Sequence, residues 1–252
     1  MSTPTSPHWP GLPSDAKVVV NDSYMATQLA VADSIRLSMP ALIVGPSGSG
    51  KTFAVTIALP QRGVEWVKYR ADHRPKGNAL LESCLRLVGE PLPSQGRHRT
   101  QETLTHLLTA ALIERPRVLW VDEVQNMSVE SLRQLRHIID TDGMRSTILL
   151  SGESSTTKLL SNNEKPLLSR CARRVRFHLF DPKETLVPTL RQYHPLFDNS
   201  PAKLIRQLDE LGAYGRFREY AKVLEAVTAH YPNADRLDDR IVRTVGMMLW
   251  AR

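Results

Sequence analysis

The chain has 252 residues, 41% hydrophobic and 23% charged, globular proportions that exclude wholesale disorder. Its longest apolar runs, such as Ala41–Val44 and residues 148–150, are far too short to span a bilayer, no charged-then-apolar leader opens the chain, and Cys84 and Cys171 make neither a disulfide framework nor a zinc cluster. A cytoplasmic protein with no membrane partner is therefore expected, and the balance of 33 Lys and Arg against 26 Asp and Glu, +7 in all, favours a polyanionic partner, nucleic acid above all.

In chain order, Pro4, Pro7, Pro10 and Pro13 recur at every third position. They block regular helix and leave no apolar face, so residues 1–20 are expected to form a flexible Pro-rich tail. From Asn21 onward, Ser23 is placed to cap a helix to about residue 38, with Met25, Leu29, Ala32, Ile35 and Leu37 near helical spacing, and Pro40 stops it. Residues 41–44 form a continuous apolar strand of the kind buried in a parallel sheet. A glycine-rich turn leads to a helix over 51–59, a strand over 64–69, helices over 78–88 and 101–113, and a strand over 117–122. A helix over 129–139, a strand over 147–151, a short helix over 166–171 and a fifth strand over 174–179 complete the series. This alternation predicts an α/β three-layer αβα core with a parallel sheet over residues 21–180. Beyond Asp181-Pro182 no strand pattern follows, and 200–211, 216–230 and 236–249 read as helices of a small helical domain over 181–252.

The strongest chemical signal is Gly45-Pro46-Ser47-Gly48-Ser49-Gly50-Lys51-Thr52, the full G-x-x-x-x-G-K-[ST] pattern between an apolar strand and a helix. The glycines let backbone N–H groups turn inward as an anion nest, to which the helix adds its positive end. Lys51 reaches the β- and γ-phosphates of ATP, and the Thr52 hydroxyl is placed to ligate Mg²⁺. Val118-Leu119-Trp120-Val121-Asp122-Glu123 supplies the other half. A carboxylate at the C-terminal end of a buried strand lies where such sheets bind ligands, so Asp122 is the candidate metal ligand and Glu123 the base that polarises the attacking water. Trp66, Trp120 and Trp250 are expected to pack rather than stack on bases.

With these motifs the sequence resembles the AAA+ ATPases over residues 21–249. The phrases WVDEVQNM and ILLSGESS resemble most the transposition regulators of the TnsC, TniB and MuB type, with the ExeA-like ATPases second. The resemblance implies a P-loop core followed by a helical lid, a polar sensor where the 147–150 strand ends (Ser151 or Glu153), and an arginine finger completing a neighbour's ATP site, for which Arg170 stands first and Arg173 and Arg174 behind it. It also implies a lid arginine reaching the γ-phosphate in cis. Gly215-Arg216-Phe217-Arg218 fits that opening, with Arg218 first and Arg216 in reserve.

Basic residues cluster in three places: 165–176, Lys68 to Lys76, and Arg97 to Arg99. Because loops in the first half of the AAA+ core face the channel in DNA-encircling relatives, the resemblance makes Lys68, Arg70, Arg74, Lys76, Arg97 and Arg99 candidate DNA contacts. Such contacts go to phosphates and confer salt dependence rather than base reading. The reading that follows is an ATP-dependent, Mg²⁺-dependent DNA-binding regulator. It self-associates as a ring or filament on duplex DNA and couples the target to a transposase or target-selection protein, with hydrolysis controlling disassembly. The competing readings are an ExeA-like ATPase that energises a protein assembly without DNA, and a phosphoryl-transferring kinase.

Overall fold

The computed structural model describes residues 15–71, 77–93 and 99–251. The described residues divide into two compact units, one of those within 25–45 and 51–177, the other of 15–24, 46–50 and 178–251.

The first unit is built on five parallel strands: β1 (Ala41–Val44), β2 (Trp66–Arg70), β3 (Val118–Asp122), β4 (Thr147–Gly152) and β5 (Arg173–Arg176), in the order β2-β3-β4-β1-β5. Every residue of β1, β3 and β4 is buried, as their unbroken apolar runs require in a sheet covered on both faces. On one face Leu42, Val44, Leu119, Val121, Ile148 and Leu150 join a core with Leu80, Leu81, Leu85, Leu104, Leu108, Leu132 and Leu135. These come from α3 (Gly77–Val88), α4 (Gln101–Glu114) and α5 (Val129–Ile139). Ile43, Trp120 and Leu149, of opposite parity, are buried too, as are Ala54, Val55, Ile57 and Ala58 of α2 (Lys51–Ala58), whereas α1 (Asp22–Leu37) buries Thr27, Gln28, Ala30, Val31 and Ser34 and leaves exposed Met25, Leu29 and Leu37, three of the residues whose spacing marked it as a helix. The edge strands differ: β5 exposes Arg173, Arg174 and Arg176, and β2 carries Lys68 and Arg70, charges that block further strand pairing.

Local signals set the helix ends. Asn21, not Ser23, caps α1, its Oδ1 accepting the Tyr24 N–H at 2.9 Å. Ser128 Oγ accepts from Ser131 N–H at 3.1 Å at the start of α5, and Thr100 Oγ1 from Thr103 N–H at 3.2 Å at the start of α4. Between β4 and β5, α6 (Ser155–Asn163) precedes α7 (Lys165–Ser169). The sequence pattern shows only α7, because α6 buries little beyond Thr156 and Leu160.

The second unit contains α8 (Leu186–Tyr193), α9 (Pro195–Asp198), α10 (Ala202–Leu208), α11 (Phe217–His230) and α12 (Asp239–Trp250). Leu186, Leu190, Tyr193, Phe197, Leu208, Tyr220, Leu224 and Val242 lie in its core. The Tyr193 and Phe217 rings meet edge-on with centroids 4.5 Å apart. Residues 186–193 and 195–198, without regular structure in the sequence reading, are helical, and Pro188 is accommodated because it falls in the first turn of α8, where a missing N–H costs nothing.

Both cysteines are buried, and burial pushes the Cys84 thiol up to about 12 and the Cys171 thiol up to about 11. In the native protein at pH 8 each is expected to react with a maleimide more than about a hundredfold slower than a free thiol, and at ordinary rates after urea unfolding. Mass spectrometry of timed alkylation reads this directly.

Candidate nucleotide site

The phosphate-loop motif connects β1 to α2. Gly45 N–H donates to Gly152 O at 3.2 Å, and a Cβ at Gly45 would lie 2.6 Å from Phe177 Cβ, so only glycine fits there. Gly48 and Gly50 have φ of +79° and +98°, left-handed conformations that turn successive N–H groups to one side as an anion nest. Ser49 closes the turn, its Oγ donating to Pro46 O at 2.8 Å. Lys51, buried at the start of α2, donates from Nζ to Gly45 O at 2.7 Å. An ammonium buried beside the glycine-rich loop fits an anionic ligand.

At the end of β3 Asp122 is 5% exposed. Its Oδ1 accepts from Ser151 Oγ–H at 2.6 Å and from Glu123 N–H at 3.1 Å. Ser151 Oγ in turn accepts the Trp120 indole N–H at 2.7 Å. The other oxygen, Oδ2, lies 2.8 Å from Lys68 Nζ, which also stands 3.9 Å from the centroid of the Trp120 ring. Glu123 has φ +60°, an uncommon conformation for a non-glycine residue. Gln125 Nε2 donates to Glu123 Oε2 at 2.6 Å, while Gln125 Oε1 accepts Glu153 N–H at 2.9 Å. Arg70 lies 3.8 Å from Glu123 Oε1. A Cβ at Gly152 would come within 2.6 Å of Gln125 Oε1, so the close approach of this amide needs glycine at the end of β4. The Thr52 hydroxyl and the Asp122 carboxylate are hard oxygen donors of the kind magnesium takes.

Of the two sensor candidates, Ser151 meets Asp122, whereas Glu153 is exposed and reaches Gln125 only through its backbone N–H. Lys68 and Arg70 stand against the two acidic side chains. Arg99 lies 2.7 Å from Glu82, and Arg74, Lys76 and Arg97 lie outside the described residues. Lys68, Arg70 and Gln125 were the site neighbours that the motifs did not announce. The two-residue spacing of Lys68 and Arg70, which puts both on one face of an edge strand, was the available signal.

In the second unit the start of α11 meets the phosphate loop. Arg218 N–H donates to Gly48 O at 3.2 Å, and its guanidinium Nη1 lies 3.4 Å from Ser47 Oγ. A Cβ at Gly48 would sit 3.3 Å from Arg216 Cβ and 3.4 Å from Arg218 Cβ. The turn before α11 is unusual: Tyr214 and Gly215 both have positive φ, +48° and +68°. Buried Asp209 holds it, its Oδ1 accepting Gly215 N–H and Tyr220 Oη–H, each at 2.5 Å. Burial, then the hydrogen bond to Asp209 and its negative charge, push the Tyr220 phenol well above its ordinary range, so it remains a donor.

The three finger candidates each have a partner within the chain. Arg170 forms a two-pronged pair with Asp140, one bond of 2.8 Å from Nη2. Arg173 Nε donates to Asp33 Oδ2 at 2.7 Å, and Arg174 Nη2 to Leu168 O at 2.8 Å. Hydrogen bonds from Arg36 and Arg173 hold the Asp33 carboxyl below the usual carboxylate range.

A parallel sheet in this order, a phosphate-loop motif between its β1 and the next helix, an acidic pair ending β3 and a helical C-terminal part define a P-loop AAA+ fold. Residues 36–160 match the family model described as "AAA domain". Among solved structures, the chain is similar to Cdc6p from Pyrobaculum aerophilum, with a TM-score of 0.68 and 16% identity over 91% of this chain and 71% of that one. The Aeropyrum pernix ORC2 protein, solved as ADPNP–ADP complexes, gives 0.65 and 18% over 93% and 69%. The Aeropyrum pernix ORC1 protein, solved in complex with DNA, gives 0.66 and 16% over 92% and 66%. At these identities the likeness is one of fold. No curated protein sequence matches the chain.

Asp209→Ala leaves a buried N–H and a buried hydroxyl without their acceptor, and should cost about 2–4 kcal/mol in urea unfolding. Tyr220→Phe, which removes one donor and leaves the turn bond, should cost about 1 kcal/mol.

Proposed function

We propose that this chain is a magnesium-dependent ATPase that assembles on duplex DNA in its ATP-bound form and disassembles on hydrolysis. The observation that carries the reading is the Asp122–Ser151 and Glu123–Gln125 network at the end of β3, in a chain whose β1 leads directly into the phosphate-loop motif. The N–H groups of residues 45–52 and the Lys51 ammonium hold the phosphates, and Lys51 gives up Gly45 O to do so. Thr52 and Asp122 would hold magnesium, which when bound neutralises charge on the β- and γ-phosphoryl oxygens. Glu123, steadied by Gln125, takes the proton of the water that attacks the γ-phosphorus, and the bond to the ADP oxygen breaks. Ser151 orients Asp122. Arg218, already bonded to the loop through its N–H, binds the γ-phosphoryl group in cis. Arg170 of one copy, released from Asp140, completes the ATP site of the next, with Arg173 and Arg174 as its reserves.

The net charge of +7, the basic segments around Arg74, Lys76 and Arg97, and the DNA-bound state of the ORC1 protein support duplex DNA as the polyanion. The phrases WVDEVQNM and ILLSGESS support the finer reading, in which the assembly couples target DNA to a transposase or target selector in the cytoplasm. A second reading, an ATPase acting on a protein assembly without DNA, draws on one observation: Lys68, Arg70 and Arg99 each lie against a carboxylate of the same chain.

Glu123→Gln is expected to retain ATP binding, to lower phosphate release at least about a hundredfold, and to sediment with duplex DNA in ATP as large assemblies. Wild-type assemblies should dissolve as ATP is consumed, and their affinity should fall steeply between about 50 and 200 mM salt. Monomers only, at low salt with duplex DNA and a slowly hydrolysed analogue, would contradict the DNA reading and favour the second one.

A further inference from the structure

Lys68 lies on the edge strand β2, opposite Trp120 in the β2–β3 register. Its side chain crosses to the end of β3, where Nζ meets Asp122 Oδ2 at 2.8 Å and the Trp120 ring at 3.9 Å. The Lys68 side chain is 30% exposed and that of Asp122 is 7% exposed. A carboxylate so buried is costly without compensation. Oδ1 has two donors, Ser151 Oγ–H and Glu123 N–H, and Oδ2 meets the Lys68 ammonium. The Trp120 indole is itself fixed by its bond to Ser151, so the same small network holds both the carboxylate and the surface on which the ammonium rests. This is not the arrangement of a lysine presented to a DNA backbone, whose ammonium would face solvent.

We propose that Lys68 is a built-in counter-ion that neutralises Asp122 in the metal-free protein and must withdraw from Oδ2 for Asp122 to serve magnesium. Lys68 thereby sets the magnesium concentration at which nucleotide is held. The inference rests on the nucleotide-site reading above and deepens it by assigning a regulatory role to a residue outside the motifs. Two cations directed at one carboxylate oxygen repel each other, so a magnesium ion served by Asp122 would compete with the ammonium. Lys68 has somewhere to go, because its partial exposure lets the ammonium swing into water while the stem stays along the Trp120 face. The protein thus exchanges one neutralising charge for another as nucleotide and metal arrive together, and Asp122 is not left bare in between.

The test uses the full chain stripped of divalent ions, with a fluorescent N-methylanthraniloyl-ADP at fixed concentration, titrated with MgCl₂. Lys68→Met keeps an apolar stem on Trp120 and removes the competing charge. Its half-saturating magnesium concentration should fall about fivefold below wild type, the equivalent of losing one partly exposed charge pair. Lys68→Arg keeps the charge and should stay within about twofold of wild type on the same ground. A Lys68→Met midpoint equal to or above that of wild type overturns the inference.

A second measurement does not depend on the methionine variant folding. In ¹⁵N-lysine-labelled wild type, one slowly exchanging side-chain ammonium signal, absent from Lys68→Arg, should be present without metal and lost on adding MgCl₂ and ADP. Its persistence under saturation overturns the inference as well. If wild type binds the ADP analogue with an unshifted Lys68→Met midpoint, the nucleotide reading stands and the role of Lys68 falls. If wild type binds no analogue at any magnesium concentration, both fall.

Discussion

The burial of Asp122 is the constraint around which the sheet's functional end is organised. A carboxylate in the interior is tolerated only when its oxygens are occupied, and each occupant fixes something else. The bond from Ser151 ties β3 to β4 beyond their apolar run, and through Ser151 it fixes the indole of Trp120, the largest fully buried side chain of the sheet. The bond from Glu123 N–H accompanies the left-handed turn that starts the segment after β3. The ammonium of Lys68 draws the edge strand β2 into the same cluster. One buried charge therefore coordinates three neighbouring strands at the end where sheets of this class bind ligands.

Glycines and a second buried carboxylate supply the complementary precision. Gly45 and Gly152 are places where a Cβ would collide with a neighbouring chain segment, and Gly48 is where the start of α11 comes within van der Waals reach of the loop. Asp209 does for the helical unit what Asp122 does for the sheet. It gathers the Gly215 N–H and the Tyr220 hydroxyl and so sets the turn that delivers Arg216 and Arg218 to Ser47 and Gly48. In both units a buried acidic side chain with its donors in place is used to position.

The central strands were legible because burial on both faces demands continuous apolar runs, and Ala41–Val44, Val118–Asp122 and Thr147–Gly152 carry them. The phosphate-loop motif and the Asp-Glu pair were legible because their chemistry allows few residue types at those spacings. Helix α6 was not, since Ser155–Asn163 is mostly polar and its buried face is slight. Helix α8 was hidden by Pro188, a breaker in a helix interior but harmless in a first turn. Lys68 and Arg70 contribute to the charge total that suggests a polyanion, yet a sequence shows the sign of a charge and not its partner. Only the β2–β3 register puts Arg70 opposite Asp122, and only side-chain placement puts Lys68 on Asp122 and Arg70 near Glu123. The gathering of Asp209, Gly215 and Tyr220 depends likewise on two successive residues of positive φ, of which glycine announces one and tyrosine conceals the other.

The central claim is that Lys51, at the start of α2, binds the phosphates of a nucleotide. Calorimetric titration of a slowly hydrolysed ATP analogue with magnesium into the full chain and into its Lys51→Ala variant measures that claim directly. One site per chain is expected in the wild type and a loss of affinity of at least about a hundredfold in the variant, since the Lys51 ammonium bonds both the β- and the γ-phosphate. Equal affinity in the two proteins, or no binding to the wild type, would contradict it.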